Sequence, residues 1–378
     1  MKRISFILLF GCSAMLSLAQ QSQPKPSVPR FRLVGKYELP HNPLFDGTTV
    51  GGLSGIDYDP EKDVYYMICD DRSEFNPARY YTARIQTNEK GIDTVIIQAV
   101  TTLLQKNGQP YPGIKQDKYH APDPEAMRYD PKRKQFIWTS EGERIVKQKD
   151  TILQNPSINI IKPDGTDLGA FPLPANLRMH ATEKGPRQNG VLEGLTFADQ
   201  YKTLYVSLEE PRYEDGPRAD VMPLDAWTRI YKFNTNTRKN TAQYAYKLEP
   251  VAYPTDSAGA FKVNGIPDIL DFGNNRLLVM ERSFSTGRMA CTIRIFLADL
   301  NGVENVRPKN SLKQNPPQKP VQKALVMNMD ELGIYVDNVE GMTFGPKLPN
   351  GRRSLVMVAD NNFSKKEITQ FFLFEIEE

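Results

Sequence analysis

An all-β fold, a β-propeller of five four-stranded blades, is what this sequence predicts. Three observations carry the prediction. A two-strand segment recurs five times at a near-constant step; two further strand-like runs follow each copy up to the last; and the last unit ends one strand short while a spare strand precedes the first. Each copy reads as an acid, a short apolar strand, a turn, a second apolar strand, and an acid next to Arg or Asn. The copies are LSGIDYDPEKDVYYMICDDR (53–72), PEAMRYDPKRKQFIWTSEGER (124–144), LEGLTFADQYKTLYVSLEEPR (192–212), IPDILDFGNNRLLVMER (266–282) and VEGMTFGPKLPNGRRSLVMVADN (339–361). With Ser54, Glu125, Glu193, Asp268 and Glu340 as equivalent points, the steps are 71, 68, 75 and 72 residues. A steady period marks a repeat architecture, and solenoid periods are usually shorter.

The elements follow in chain order. Residues 1–19 have two positive charges, an apolar run from Ile4 to Phe10 and small residues up to Ala19, the layout of a secretory signal peptide. Leu9-Phe10-Gly11-Cys12 also resembles a bacterial lipobox, so the alternative is a lipid anchor at Cys12 and a membrane-anchored lipoprotein in place of a secreted or periplasmic product. Residues 20–29 (QQSQPKPSVP) read as an extended linker, and 30–378 as one propeller domain. Arg30–Leu39 is the spare strand. The second unit adds runs 158–162 and 168–173 around a Pro-Asp-Gly turn. The third reads as strands 192–197, 203–209, 228–234 and 242–248. The last supplies 340–344, 354–359 and 369–376, so the N-terminal strand completes its blade and closes the ring, removing exposed sheet edges. The long connections leave room for a sixth blade.

Composition narrows the function. Without Lys2 and Arg3 the formal charge falls from +3 to +1, so no overall field recruits nucleic acid or an anionic membrane. The run Lys132-Arg133-Lys134 lies in a hairpin turn and is explained by solvation. Only Cys69 and Cys291 lie in the mature body, each in an apolar strand, which reads as buried thiols without a disulfide framework. No later apolar stretch is long enough to span a bilayer. A monomer is expected.

Antiparallel pairing brings the start of the first strand of each copy beside the end of the second. Glu125 then neighbours Glu141, Glu193 neighbours Glu209, Asp268 neighbours Glu281 and Glu340 neighbours Asp360, with Ser54 facing Asp70 and Asp71. First strands line a propeller's axis, so these acids gather at one mouth of the channel with Arg72, Arg144, Arg212 and Arg282. Crowded carboxylates need cations between them, and oxygen-rich clusters favour hard metals such as Ca²⁺. Glu125, Glu193 and Glu340 are the candidates to act in catalysis, ligating metal or positioning water. Asp71, Glu141, Glu209, Asp268, Glu281 and Asp360 are further metal ligands. The arginines would grip a phosphate or carboxylate in bidentate fashion. Equally, the same Glu and Arg residues could form ion pairs between blades, with Gly194 and Gly341 serving tight turns.

At Gln188–Leu195 (QNGVLEGL) followed by Leu204–Glu210 (LYVSLEE), with similar patterns at Val339–Met342 and Leu53–Ile56, the chain resembles the phytase-like, or esterase-like, family of secreted bacterial proteins. The resemblance covers roughly 34–374. It implies a propeller that hydrolyses phosphate esters with calcium. The stretch nearest to the Asp-Ala-Asp-Pro-Ala segment of β-propeller phytases is Ala121–Ala126 (APDPEA), which differs by an inserted Glu.

Other chemistry finds little support. No G-x-S-x-G elbow marks a nucleophilic serine, and no Cys/His spacing matches zinc. Of the three histidines, His120 stands closest to the acids, as a substrate-binding acid or ligand, with plain exposure as the alternative. The expected function is a secreted hydrolase acting on an anionic ester with Ca²⁺. The competing reading is a non-catalytic module that binds a glycan, peptide or cell-envelope partner.

Overall fold

The computed structural model of the protein describes residues 28–377. The signal peptide, the Cys12 anchor and most of the 20–29 linker fall outside them. Five antiparallel sheets form a ring. Blade 1 comprises Leu53–Asp59, Val64–Cys69, Arg79–Asn88 and Gly91–Thr102. Blade 2 comprises Pro124–Asp130, Gln135–Ser140, Ser157–Ile161 and Asp167–Ala170. Blade 3 comprises Leu192–Ala198, Thr203–Leu208, Trp227–Asn234 and Asn240–Lys247. In blade 4, Ile269–Gly273, Arg276–Ser285, Thr292–Asp299 and Gln322–Asn328 follow the same order, and Lys262–Gly265 adds a fifth strand. Blade 5 comprises Asn338–Phe344, Arg353–Asp360 and Gln370–Glu377, completed by Arg30–Glu38.

There is no sixth blade: the remaining sheets among the described residues are two-stranded ribbons, Leu44–Phe45 with Thr48–Thr49 and Glu143–Ile145 with Ile152–Gln154. No helix among the described residues is long and apolar enough to cross a membrane.

Closure is a sheet register. Arg30 pairs with Glu377, Phe31 with Ile376 and so on to Glu38 with Gln370, interrupted by one shift between Leu33 and Gly35. Without this strand, Gln370–Glu377, which is almost wholly buried, would become an open apolar edge. A chain starting at residue 39 is therefore expected to lose cooperative thermal unfolding and to aggregate on size-exclusion chromatography. A sharp melt from a monomer would contradict this.

Five apolar cores lie between successive blades. Ile68, Tyr80 and Trp138 join blades 1 and 2; Ile137, Ile158 and Leu204 join 2 and 3; Tyr246, Ile269 and Leu277 join 3 and 4. Met280, Ile295 and Met357 join 4 and 5, and Met67, Tyr81 and Phe371 join 5 and 1. Cys69 and Cys291 are both buried and free.

Four of the five inner strands share one irregularity. In blades 1 and 5 the pairing jumps from Leu53↔Cys69 to Gly55↔Ile68 and from Val339↔Ala359 to Gly341↔Val358. Ser54 and Glu340 are thus extra residues in β-bulges. Blades 2 and 3 shift register over the same positions, between Pro124 and Met127 and between Leu192 and Leu195. A bulge re-aims a side chain, and here it falls where the repeat places its acid.

The Gly beside the acid serves close approach, and no tight turn is present. A Cβ on Gly194 would stand 2.5 Å from the Asp268 Cα, and one on Gly341 3.0 Å from the Gly55 Cα. Adjacent inner strands touch there around the axis. The Glu-Gly pair thus combines a re-aimed acid with the contact that closes the ring.

Candidate functional site

The strand ends that carry the bulges open on a cavity of about 560 Å³. Its walls include Asp70, Asp123, Glu125, Glu141, Glu193, Glu209 and Glu340, together with Arg72 and Arg282. Nine carboxyl groups line it against four cationic side chains. Oxygens of Asp123, Glu125 and Glu141 lie within 4.8 Å of one another, and so do those of Glu141, Glu193 and Glu209. Two carboxylates at that spacing repel by about 3–4 kcal/mol at an effective dielectric of about 20. Protons or a cation must offset this.

Two arginines neutralise the flanks. Arg282 donates to Glu340 and Asn338 of blade 5 and, from Nη2, to Glu209 of blade 3 at 3.0 Å. Arg72 pairs with Glu143 at 2.8 Å and reaches Asp123 at 3.5 Å. Between them, no backbone or side-chain N–H among the described residues donates to Glu125 or Glu193. Glu141 accepts from the Val191 amide.

Burial and crowding push these acids up. Glu125 is raised well above the usual carboxylate range by desolvation and then by Glu193, Asp123, Glu141 and Glu340. Glu193 is raised likewise by desolvation, Glu141, Glu209 and Glu340, against the pull of Arg282. Glu141 is pushed up to about 7, by desolvation and the neighbouring Glu209. Asp123 and Asp70 are also raised, desolvation leading in both. Burial lowers the dielectric and carboxylate neighbours disfavour a further negative charge.

The donor set fits a hard divalent cation. Calcium takes 6–8 oxygens at 2.3–2.6 Å, so two oxygens on opposite sides of one ion stand about 5 Å apart. Both sets of three keep an oxygen from each carboxyl group within 4.8 Å of the others, close enough for one ion to reach all three. Glu141 belongs to both.

The structure places the sequence-expected residues in two classes. Glu125, Glu193, Glu340, Glu141, Glu209, Arg72 and Arg282 line the cavity. Asp360 is buried just beyond them, raised by desolvation and then by Asp70 and Glu340, and its Oδ2 has no hydrogen-bond partner.

The others are drawn elsewhere. Asp71 accepts from the amides of Glu74, Phe75 and Asn76 and from Arg79 at 2.7 Å. Asp268 points down the channel to Arg128, at 3.0 and 2.8 Å from Nη2. Glu281 accepts from Tyr246, Asn264 and Lys323 in the body of blade 4. Arg212 pairs with Asp215 at 2.7 Å, which Arg229 shares. Arg144 donates to the carbonyls of His180, Ala181 and Thr182. His120 is exposed, its Nδ1 2.7 Å from Asp117.

Four cavity acids, Asp70, Asp123, Asp337 and Glu367, stand outside the positions expected from the repeat. Asp70 and Asp123 lie one or two residues from expected positions, Asp71 and Glu125. The alternation of strand side chains distinguishes Asp70 from Asp71: one faces the cavity and the other faces Arg79.

No curated protein matches the chain in sequence. Among solved structures it is similar to an endo-arabinase from Bacteroides thetaiotaomicron VPI-5482, at 14% identity and TM-score 0.43 over 85% of this chain and 94% of the other. It is also similar to a gluconolactonase from Xanthomonas campestris, at 12% identity and TM-score 0.39 over 93% and 95%, and to the periplasmic gluconolactonase of Pseudomonas aeruginosa, at 12% and 0.33 over 81% and 80%. Likenesses this remote say nothing about chemistry. Residues 48–363 match the phytase-like family, described as the esterase-like activity of phytase, and the chain belongs to that family.

Proposed function

We propose that the protein is a secreted or periplasmic hydrolase that cleaves a phosphate ester or related anionic ester at this mouth, with a divalent cation, calcium by the chemistry of the donors. The observation that carries the reading is the excess of carboxyl groups: two sets of three within 4.8 Å, with the Glu125 and Glu193 carboxyl groups receiving no hydrogen bond from any N–H among the described residues. Glu141, Glu193 and Glu209 would hold the cation, with Asp123 and Glu125 beside it. A bound divalent cation lowers the pKa of water and screens developing negative charge.

The chain's own groups do the rest. Arg72 and Arg282 flank the acids and present guanidinium donors to anionic oxygens, in the fork geometry that suits phosphate. Glu125, raised in pKa by desolvation and then by its carboxyl neighbours, is the group placed to give a proton to a leaving oxygen, the role that general acid catalysis requires. Glu340, tied to Arg282 and Asn338, orients that arginine.

The test is a screen of phosphomonoesters with calcium and with a chelator. Turnover that falls at least about a hundredfold on chelation and returns with calcium supports the reading. Turnover untouched by chelation, or none on any ester, sinks it. Calcium binding without turnover favours the non-catalytic module.

A further inference from the structure

The cavity is polar on one side only. Its blade-4 wall carries Phe261, Val263, Phe284, Met289 and Cys291, and the one charged residue beside Met289, Arg288, is held by Asp330 and the Tyr253 ring. The second strand of blade 4, Arg276–Ser285, runs ten residues where those of blades 1 to 3 run six. Four residues follow Glu281, so the strand stands about 13 Å above the acid floor. Lys262–Gly265 pairs with this extension, Val263 opposite Phe284 and Gly265 opposite Arg282.

Alternation then sorts the faces. Ser283 and Ser285 turn outward and hydrogen-bond to Ala252 and Tyr253. Arg282 and Phe284 share the inward face, with Phe284 about 7 Å above the guanidinium-bearing residue. Phe261 and Met289 continue this face to the lip, where they remain 59% and 74% exposed, and the rings of Phe261 and Phe284 lie 6.1 Å apart. Single exposed apolar residues need no explanation. A contiguous apolar wall inside a concave site of small-molecule size does.

We propose that the site selects anionic esters whose alcohol part is apolar, aromatic above all, with the anionic head on the Arg72–Arg282 floor and the apolar group against Phe284, Phe261 and Met289. This rests on the reading of the floor as an anion and cation site. A polyol carrying phosphates on every face would leave the wall uncovered.

The experiment uses two compounds that cannot be hydrolysed, phenylphosphonate and methylphosphonate, titrated by calorimetry into the full chain in calcium chloride. Phenylphosphonate is expected to bind about tenfold more tightly, from the area its ring buries. The double variant Phe261→Ser/Met289→Ser should bring the ratio below about threefold with methylphosphonate affinity unchanged; both side chains are exposed, and a thermal melt checks that the variant folds. Equal affinities in the unaltered protein, or a ratio that survives the double substitution, overturn the inference and leave the anion site standing. Binding of neither compound overturns the anion site itself, and this inference with it.

Discussion

Asp268→Ala is expected to cost about 3–5 kcal/mol of stability, the largest effect of any single substitution discussed for this chain. Asp268 and Arg128 form a buried pair in the middle of the channel, side chains 1% and 3% exposed. Arg128 also donates to the carbonyls of Ile56 and Met342, and Asp268 accepts from the Met342 amide at 2.8 Å. Blades 1, 2, 4 and 5 therefore meet at one guanidinium. Removing the carboxylate leaves that charge buried with Asp57 as its remaining acidic neighbour and without its direct partner, whereas replacing both residues by Leu should restore part of the loss. Urea unfolding of the two variants decides this. A loss under about 1 kcal/mol for Asp268→Ala would show that water reaches Arg128 and that the channel is not closed there.

The second large effect is on the dependence of stability on pH and calcium. In the folded chain Glu125, Glu193, Glu141, Asp123 and Asp70 all titrate above the usual carboxylate range. Each binds its proton more tightly folded than unfolded. The stability this contributes is fully present below the unfolded value, near pH 4.5, and is lost as pH rises through the folded value, which for Glu141 is about 7. Chelated protein should accordingly melt at a falling temperature between about pH 5 and 8.

Calcium should reverse the trend, because a cation takes the place of the protons. Its increment grows with pH and reaches about 2.7 kcal/mol at a hundred times the dissociation constant, roughly 4 °C. Glu193→Gln removes one charge from the crowd. It should leave the chelated protein no less stable at pH 8 and abolish the calcium increment. A calcium increment kept by Glu193→Gln, or a chelated melt flat from pH 5 to 8, would count against the site.

The architecture was legible because its signals are local and repeated. Period-2 alternation and turn residues mark each hairpin, and the unmatched strand at 30–39 pairs with 370–377 as the strand count requires. The positions of Glu125, Glu193 and Glu340 were legible for the same reason, each opening the first strand of its copy at the repeat step.

What each acid does was less so, because direction depends on neighbours that sequence does not order. Asp268 stands at an equivalent repeat point, but Arg128 from blade 2 turns it into the channel. Glu281 is claimed by Lys323 and Tyr246. Arg212 has Asp215 three residues on and Arg229 across the sheet, a local trio that its position in the repeat conceals. The apolar wall was invisible because it arises from a strand that breaks the repeat.

Calcium titrated by calorimetry into chelator-treated protein at pH 7.5, in two buffers of different ionisation enthalpy, tests the central claim that the bulged acids build a cation site. Saturable binding with release of protons is expected, lost in Glu141→Gln/Glu193→Gln protein that still melts cooperatively. No saturable binding, or binding unchanged by that double substitution, would contradict the account.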